Sequence, residues 1–293
     1  MMRRIAEVMG ENQRLVGAMI GIAILKLYLE TARAGLEAGL WKEPQLAAIQ
    51  AQIRPINLLA GFGGSLRRER AASLWLLERP RAELEKVFNL PPPARGLDWG
   101  AALIRLGLKL CPRGWICQNQ ASLARSEQVM LDSFDPASRR IHAMQWTAGG
   151  TASEARDDGF TPYGFLARMA MPNFIRSLQA LARVQTQLDQ LDVACALERH
   201  RVAQGSYPGE LGLLAPVYLG RIPGDIFADR PLQYRRDDQD GYLLWSVGWN
   251  EKSDGGEASL GSDGRPAYGE TSGDWVWLLK HPWPPAVERR SRP

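Results

Sequence analysis

One long amphipathic helix that ends in a glycine–proline break constrains the fold of this chain more than any other sequence feature. Residues 174–204 predict this helix, with Asn173 as its N-terminal cap, because apolar residues recur there with a period of about 3.6. The apolar stripe comprises Phe174, Leu178, Leu181, Leu188, Leu191, Cys195 and Val202. The polar residues off this stripe, which we expect to face solvent, are Asp189, Asp192, Glu198, Arg199 and His200. Gly205 then ends the helix, and Pro208 prevents its continuation.

The chain beyond this helix predicts a small antiparallel sheet. A short helix is expected within residues 208–219. Residues 232–236 and 242–247 predict a hairpin, because an Asp- and Gly-rich turn at 237–241 separates them. Residues 275–278 predict a last strand. The fold class is therefore α+β, with the long helix packed on the sheet.

The N-terminal half predicts helix after helix. Glycine and proline runs separate these helices, among them a bend at residues 61–64 and a stiff connector at 91–93. Residues 134–172 are less regular and predict a surface excursion. The expected parts of the chain are a helical region at 1–172, an α+β module at 173–278 and a disordered tail at 279–293.

Composition and charge exclude few classes of protein. The chain has 293 residues and a net charge of +4, so it is long enough to bury a core. Arginines scattered along helices are typical of solvated faces, and no nucleic-acid partner is predicted. The three cysteines form no disulfide framework: Cys111 and Cys117 are close enough in sequence to pair, and Cys195 is expected in the core.

The strongest membrane candidate is the apolar segment 15–29. Its uncharged run ends at Lys26 and is shorter than the roughly 20 apolar residues that span a bilayer. Glu7 and Glu11 interrupt the basic residues that precede it, unlike in a signal peptide. We therefore expect a buried core helix here.

Four motifs follow one another in the second half of the chain. They are the helix end ALERHRVAQGSYP at 196–208, the segment LGLLAPVYL at 211–219, the loop IPGD at 222–225 and the strand GYLLWSVG at 241–248. This order resembles the soluble part of type II secretion major pseudopilins. The physics of the residues agrees, because Tyr207 is placed to fold its ring back onto the helix that Gly205 ends.

Further motifs extend the likeness to most of residues 110–278. They are PRGW at 112–115, PNF at 172–174, SVGWNEK at 246–252 and GDWVW at 273–277. With them the chain resembles a set of uncharacterised bacterial envelope-associated proteins that have a pseudopilin-like module at the C-terminal end. Members usually have a membrane segment further upstream. The resemblance thus implies inner-membrane attachment on the periplasmic face, through a segment not present in this chain; the alternative is a cytoplasmic protein.

The resemblance also implies a calcium site, because major pseudopilins bind calcium in the loop before their last strand. The equivalent loop is 250–274, and its candidate ligands are Asp254, Asp263 and Asp274. Calcium takes about six to eight oxygen ligands, which Asp, Ser and backbone carbonyls supply. The spacing fits no EF-hand, and loops of Gly and Asp also form plain turns.

No catalytic constellation emerges from the spacing of the chemically reactive residues. The three histidines lack a metal-binding pattern. Asp189 and Asp192 lie on one helix, which is the type of carboxylate pair used in glycoside hydrolysis but also commonplace on helices. The tryptophans that form either a binding face or, as we favour, core between sheet and helix are Trp245, Trp249, Trp275 and Trp277.

The sequence therefore predicts a non-enzymatic cell-envelope protein that acts through contacts with a protein partner. Two alternatives stay open. A helical module that binds a partner or peptide would have a groove between helices. An unrecognised hydrolase would use the acidic residues of 250–274 and would bring acids or histidines together in a pocket.

Overall fold

The computed structural model describes residues 15–79, 106, 110–143, 165–237, 241–260, 268 and 273–279, with side chains described from 174 onward in the long helix. The helices are α1 (Leu15–Glu37), α2 (Glu43–Ile53), α3 (Leu58–Leu77), α4 (Arg113–Asp132) and α5 (Phe165–Gln204), with a 3-10 turn at Leu211–Leu214. The strands are β1 (Phe134–Asp135), β2 (Arg140–Ile141), β3 (Gln233–Asp237), β4 (Gly241–Ser246) and β5 (Trp275–Leu279). The predicted tail lies outside the described residues, apart from Leu279.

The long helix α5 is the centre of the fold. Helices α1, α2 and α4 pack against it, and strand β4 of the sheet contacts it as well. A buried hydrogen bond joins α5 to the sheet, in which Gln190 Nε2 donates to the Trp275 carbonyl oxygen at 2.7 Å. The predicted α+β fold, with a long helix and small antiparallel sheets, is confirmed.

Helix α5 differs from its prediction in its start, in its polar side and at Val202, a residue of the apolar stripe that is 58% exposed. It begins at Phe165, so Asn173 lies inside the helix and is not its N-terminal cap. The expectation that the polar side faces solvent is wrong for Asp189, Asp192 and Glu198, which are all buried. The reason is that α2 supplies Gln50 as a partner for Asp192, and the β1–β2 turn supplies Arg139 for Asp189. Glu198 instead accepts from Arg201 of α5 and from Tyr207, just beyond the helix.

The sheet has the strand order β3–β4–β5, and both neighbouring pairs are antiparallel. The predicted hairpin and last strand are confirmed, with Arg235 opposite Leu243 and Leu244 opposite Trp277. The preferred interpretation of the tryptophans as core is confirmed for Trp249, Trp275 and Trp277, which belong to the main hydrophobic cluster, whereas Trp245 is buried outside that cluster. Trp275 packs edge-on against Phe227, with 4.9 Å between the ring centroids.

The helical half contains one clear departure from prediction. Helix α3 continues through residues 61–64, where a bend was expected. Asn57 caps this helix by accepting a hydrogen bond from Ala60 N, and Gly63 lets Phe134 approach closely: a Cβ there would lie 3.3 Å from the ring. Gly63 therefore serves packing rather than chain reversal. Within 134–172, β1 and β2 pair in a short antiparallel hairpin.

Helix α1 packs one face into the core, as the segment 15–29 predicted. Of the described helices, it is the one with the length and apolar composition to cross a membrane. All three cysteines are free thiols, so Cys111 and Cys117 do not pair, and Cys195 is buried in the core as expected.

Candidate functional site

A groove lined by arginine and aspartate lies where α2, the β1–β2 turn, α5 and the loop 220–231 meet. We call it the arginine groove, and its volume is about 750 Å³. Its charged lining residues are Arg54, Arg139, Arg140, Arg221, Arg230, Asp189, Asp192, Asp225 and Asp229. The groove is thus assembled from four segments that are far apart in sequence.

The floor of the groove is formed by two carboxylates of α5. Arg139 Nη2 donates to Asp189 Oδ1 at 2.7 Å, and Arg54 Nε lies 3.0 and 3.1 Å from the two oxygens of Asp192. Gln50 Nε2 also donates to Asp192 Oδ1, at 2.7 Å. Each floor carboxylate therefore fixes one arginine side chain.

Burial shifts both floor carboxylates toward their protonated forms. It raises the pKa of Asp189 to about 6, although the nearby Arg139 guanidinium acts in the opposite direction. Burial likewise raises the pKa of Asp192, opposed by Arg54 and by the hydrogen bond from Gln50. Protonation of Asp189 as the pH falls through about 6 therefore removes its negative charge from the floor.

The loop 220–231 is held in place by the buried carboxylate of Asp225. This carboxylate accepts hydrogen bonds from Ser246 Oγ at 2.7 Å, from Val247 N at 2.8 Å and from Phe227 N at 3.0 Å. The backbone N–H of Asp225 donates to the Arg230 carbonyl oxygen at 2.8 Å, which closes the loop. The end of β4 therefore fixes where the arginines of this loop lie.

Several guanidinium N–H groups in the groove have no partner within the described part of the chain. The Nε atoms of Arg139 and Arg140 are buried and lack a hydrogen bond there. Arg140 Nη1 lies 3.5 Å from Asp229 Oδ1, in an ion pair whose acid is almost fully exposed. Arg221 is exposed at the rim and pairs with no described acid. Spare donors of this kind favour an anion.

The predicted calcium ligands do not form a cluster of carboxylates in the described residues. Asp274 is buried, and its Oδ2 accepts from the backbone N–H groups of Asp254 and Gly256, at 3.0 and 2.6 Å. Asp254 thus contacts Asp274 through its backbone N–H group, and Asp263 lies outside the described residues. No group of three His, Cys, Asp or Glu side chains able to hold a metal occurs in the described ranges.

One oxygen of Asp274 nevertheless suits a cation. Its Oδ1 is buried and has no hydrogen-bond partner in the part of the chain that the structure describes. Burial raises the pKa of Asp274, opposed by the two backbone hydrogen bonds. A bound cation would satisfy this oxygen and favour its ionised form.

Sequence analysis identified some residues of the arginine groove but did not predict that they form a groove. Asp189 and Asp192 were predicted as a possible carboxylate pair, and they lie together in its floor. The arginines that face them were missed; the available signal was the charged residues flanking the IPGD loop, Arg221 and Arg230. Comparisons with protein-family models, with curated proteins and with solved structures found no match to this chain.

Proposed function

We propose that this chain is a non-enzymatic protein of the bacterial cell envelope that acts through contacts with a protein partner. The observation that supports this function is the outer face of α1. Val16, Ile20 and Leu27 are 68%, 57% and 65% exposed there, and the small residue Ala23 lies between them. Their spacing of three and four residues places them in one stripe.

Helix α1 is apolar on two sides. Its inner side contributes Leu25 and Leu29 to the core, while the stripe of Val16, Ile20 and Leu27 faces outward. A surface helix ordinarily has one apolar side, and a second one marks a surface that another molecule covers. We assign this surface to an apolar face of the protein partner.

The proposed envelope location rests on the resemblance of residues 196–248 to pseudopilins. In the structure α5 lies against a three-stranded antiparallel sheet, and the chain leaves the helix at Gly205, whose φ is +75°. Tyr207 then packs edge-on against Tyr242 and donates a hydrogen bond to Glu198 of α5. The hydrogen bond to Glu198 is consistent with the expectation that Tyr207 folds back onto the helix that Gly205 ends.

Site-specific photo-cross-linking in bacterial cells tests this function. A photoreactive residue at Ile20 is expected to give an adduct of discrete mass in the membrane fraction. The matched control has the photoreactive residue in place of Lys26, which is exposed on α1 beside the stripe. A purely cytosolic product that gives no adduct from position 20, or equal adducts from both positions, would contradict the proposal.

A calcium ion in the loop 250–274 is a second proposal, favoured by the buried, unpartnered Oδ1 of Asp274. Calcium is expected to raise the midpoint of thermal unfolding of the purified chain, whereas magnesium, which prefers a smaller octahedral site, is not. Removing calcium with a chelator would reverse the shift. The same response to both metals, or no response to either, would rule calcium out.

A further inference from the structure

We propose that the arginine groove binds a small organic anion through its phosphate or carboxylate groups. Arginine is the side chain best suited to these groups, because its planar guanidinium presents N–H donors in a fork that matches two oxygens. The groove brings five arginines together from the end of α2, the β1–β2 turn and the loop 220–231.

The aspartates of the groove do not use all of the N–H donors of these arginines. Asp189 and Asp192 each engage one arginine and one glutamine, and Asp225 is satisfied by Ser246 Oγ and two backbone N–H groups. A guanidinium has five N–H donors, so the arginines in these pairs retain further N–H groups for a ligand. The acids therefore orient arginines and leave room for a ligand's oxygens.

The orientation of these arginines precedes ligand binding. Arg139 and Arg54 are held against the floor by carboxylates of α5. Arg54 Nη2 also donates to the carbonyl oxygen of Tyr218. Since such side chains lose little further freedom when a ligand arrives, the entropy cost of binding is reduced.

Among the described residues, the arginines of the rim form no ion pair with a buried carboxylate. Arg221 is exposed and pairs with no described acid, and Arg140 forms an ion pair with Asp229, whose side chain is 94% exposed. Arg230 faces the side-chain amide of Gln233, which is neutral. An anion at the rim would therefore replace weakly held partners.

The size and apolar part of the groove indicate an organic ligand. A volume of about 750 Å³ is much larger than an inorganic ion needs and lies among the volumes of small-molecule sites. The half-buried side chains of Ile222 and Ala228 line the groove between the charged groups. They provide a surface on which the carbon skeleton of the ligand packs.

The test measures binding of two probes, pyrophosphate and citrate, to the purified full-length chain by isothermal titration calorimetry at constant ionic strength. Binding of pyrophosphate alone identifies a phosphate ligand, and binding of citrate alone identifies a carboxylate ligand. The experiment needs neither a partner protein nor a membrane. Its result is therefore independent of the proposed envelope function.

Arg221→Ala is the variant of choice, because Arg221 is exposed and its removal leaves the packing intact. The variant is expected to have a roughly tenfold lower affinity for the probe that binds, because it loses one charge-assisted contact. The matched control is Arg125→Ala, which removes an exposed arginine of α4 outside the groove and should leave affinity unchanged. The proposal is overturned if neither probe binds, or if both variants have the same affinity.

Discussion

Glu127 is a buried carboxylate on α4 with an unusual environment. Its side chain is 0% exposed, and neither carboxylate oxygen has a hydrogen-bond partner among the described residues. Burial raises the pKa of Glu127 from 4.5 to about 7; Arg70 opposes this shift and Glu69 adds to it. The folded chain therefore binds a proton at Glu127 more tightly than the unfolded chain does.

This environment predicts that Glu127→Gln flattens the pH dependence of stability. Because the folded-state pKa is raised, the contribution of Glu127 is fully present below its unfolded-state pKa and is lost as pH rises through about 7. The wild-type free energy of unfolding should fall by roughly 1–3 kcal/mol over this window relative to the variant. Urea unfolding of both proteins on either side of the window measures this difference.

A control separates this effect from a general change of charge. Glu78→Gln removes an exposed carboxylate just after α3 and should retain the wild-type pH dependence. If Glu127→Gln and wild type have parallel stability profiles, the buried carboxylate is not the cause.

At the residue scale, sequence patterns predicted apolar burial better than polar burial. Leu188, Leu191 and Cys195 are in the core as their helical spacing required. Asp189 and Asp192 were assigned to solvent because nothing local indicates that Arg139 and Arg54 will reach them. Their partners come from distant parts of the chain, and a helical period contains no information about such pairs.

Gly248 lies at the exit of β4, where the chain turns past β5. Its φ is +73°, and a Cβ there would lie 2.8 Å from Trp275 Cδ1 and 3.2 Å from the Gly273 carbonyl oxygen. Gly248→Ala should therefore destabilise the protein twice over, through the left-handed backbone and through overpacking, each costing about 1–3 kcal/mol. Thermal unfolding followed by circular dichroism measures the loss.

Gly255→Ala is the matched comparison for this element. Gly255 has a similar φ of +71°, but a Cβ there would meet nothing within 4 Å. It should incur only the backbone cost, so its midpoint of unfolding should lie between those of wild type and Gly248→Ala. Equal losses in the two variants would show that contact with Trp275 does not matter.

At the element scale, local signals account for what could be predicted. The β3–β4 hairpin followed from an acidic turn between an alternating segment and an apolar one, and β5 from its aromatic residues. The bend expected at residues 61–64 was wrong because the glycine pattern is the same for a turn and for a closely packed helix. Only the position of Phe134 beside Gly63 distinguishes the two, and that contact joins distant residues.

At the scale of the whole molecule, one hydrophobic cluster of described residues runs from Leu15 of α1 to Leu279 of β5. Helix α5 lies within it and contacts helices on one side and the sheet on the other. The two expected parts at 1–172 and 173–278, drawn from the helical pattern and the motifs that follow it, therefore share a core in their described residues. We expect the described helices and the sheet to unfold as one cooperative unit.

Hydrogen exchange followed by mass spectrometry tests this cooperativity through Leu191→Ala. Leu191 is fully buried near the middle of the described part of α5, and its truncation should cost about 2–5 kcal/mol. If α5 couples the two parts, peptides from α2 and from β5 should lose protection by the same free energy. Val202→Ala, at an exposed position of the same helix, should leave both unchanged. Loss of protection in α2 but not in β5 would instead show two units that unfold separately, each with its own stability.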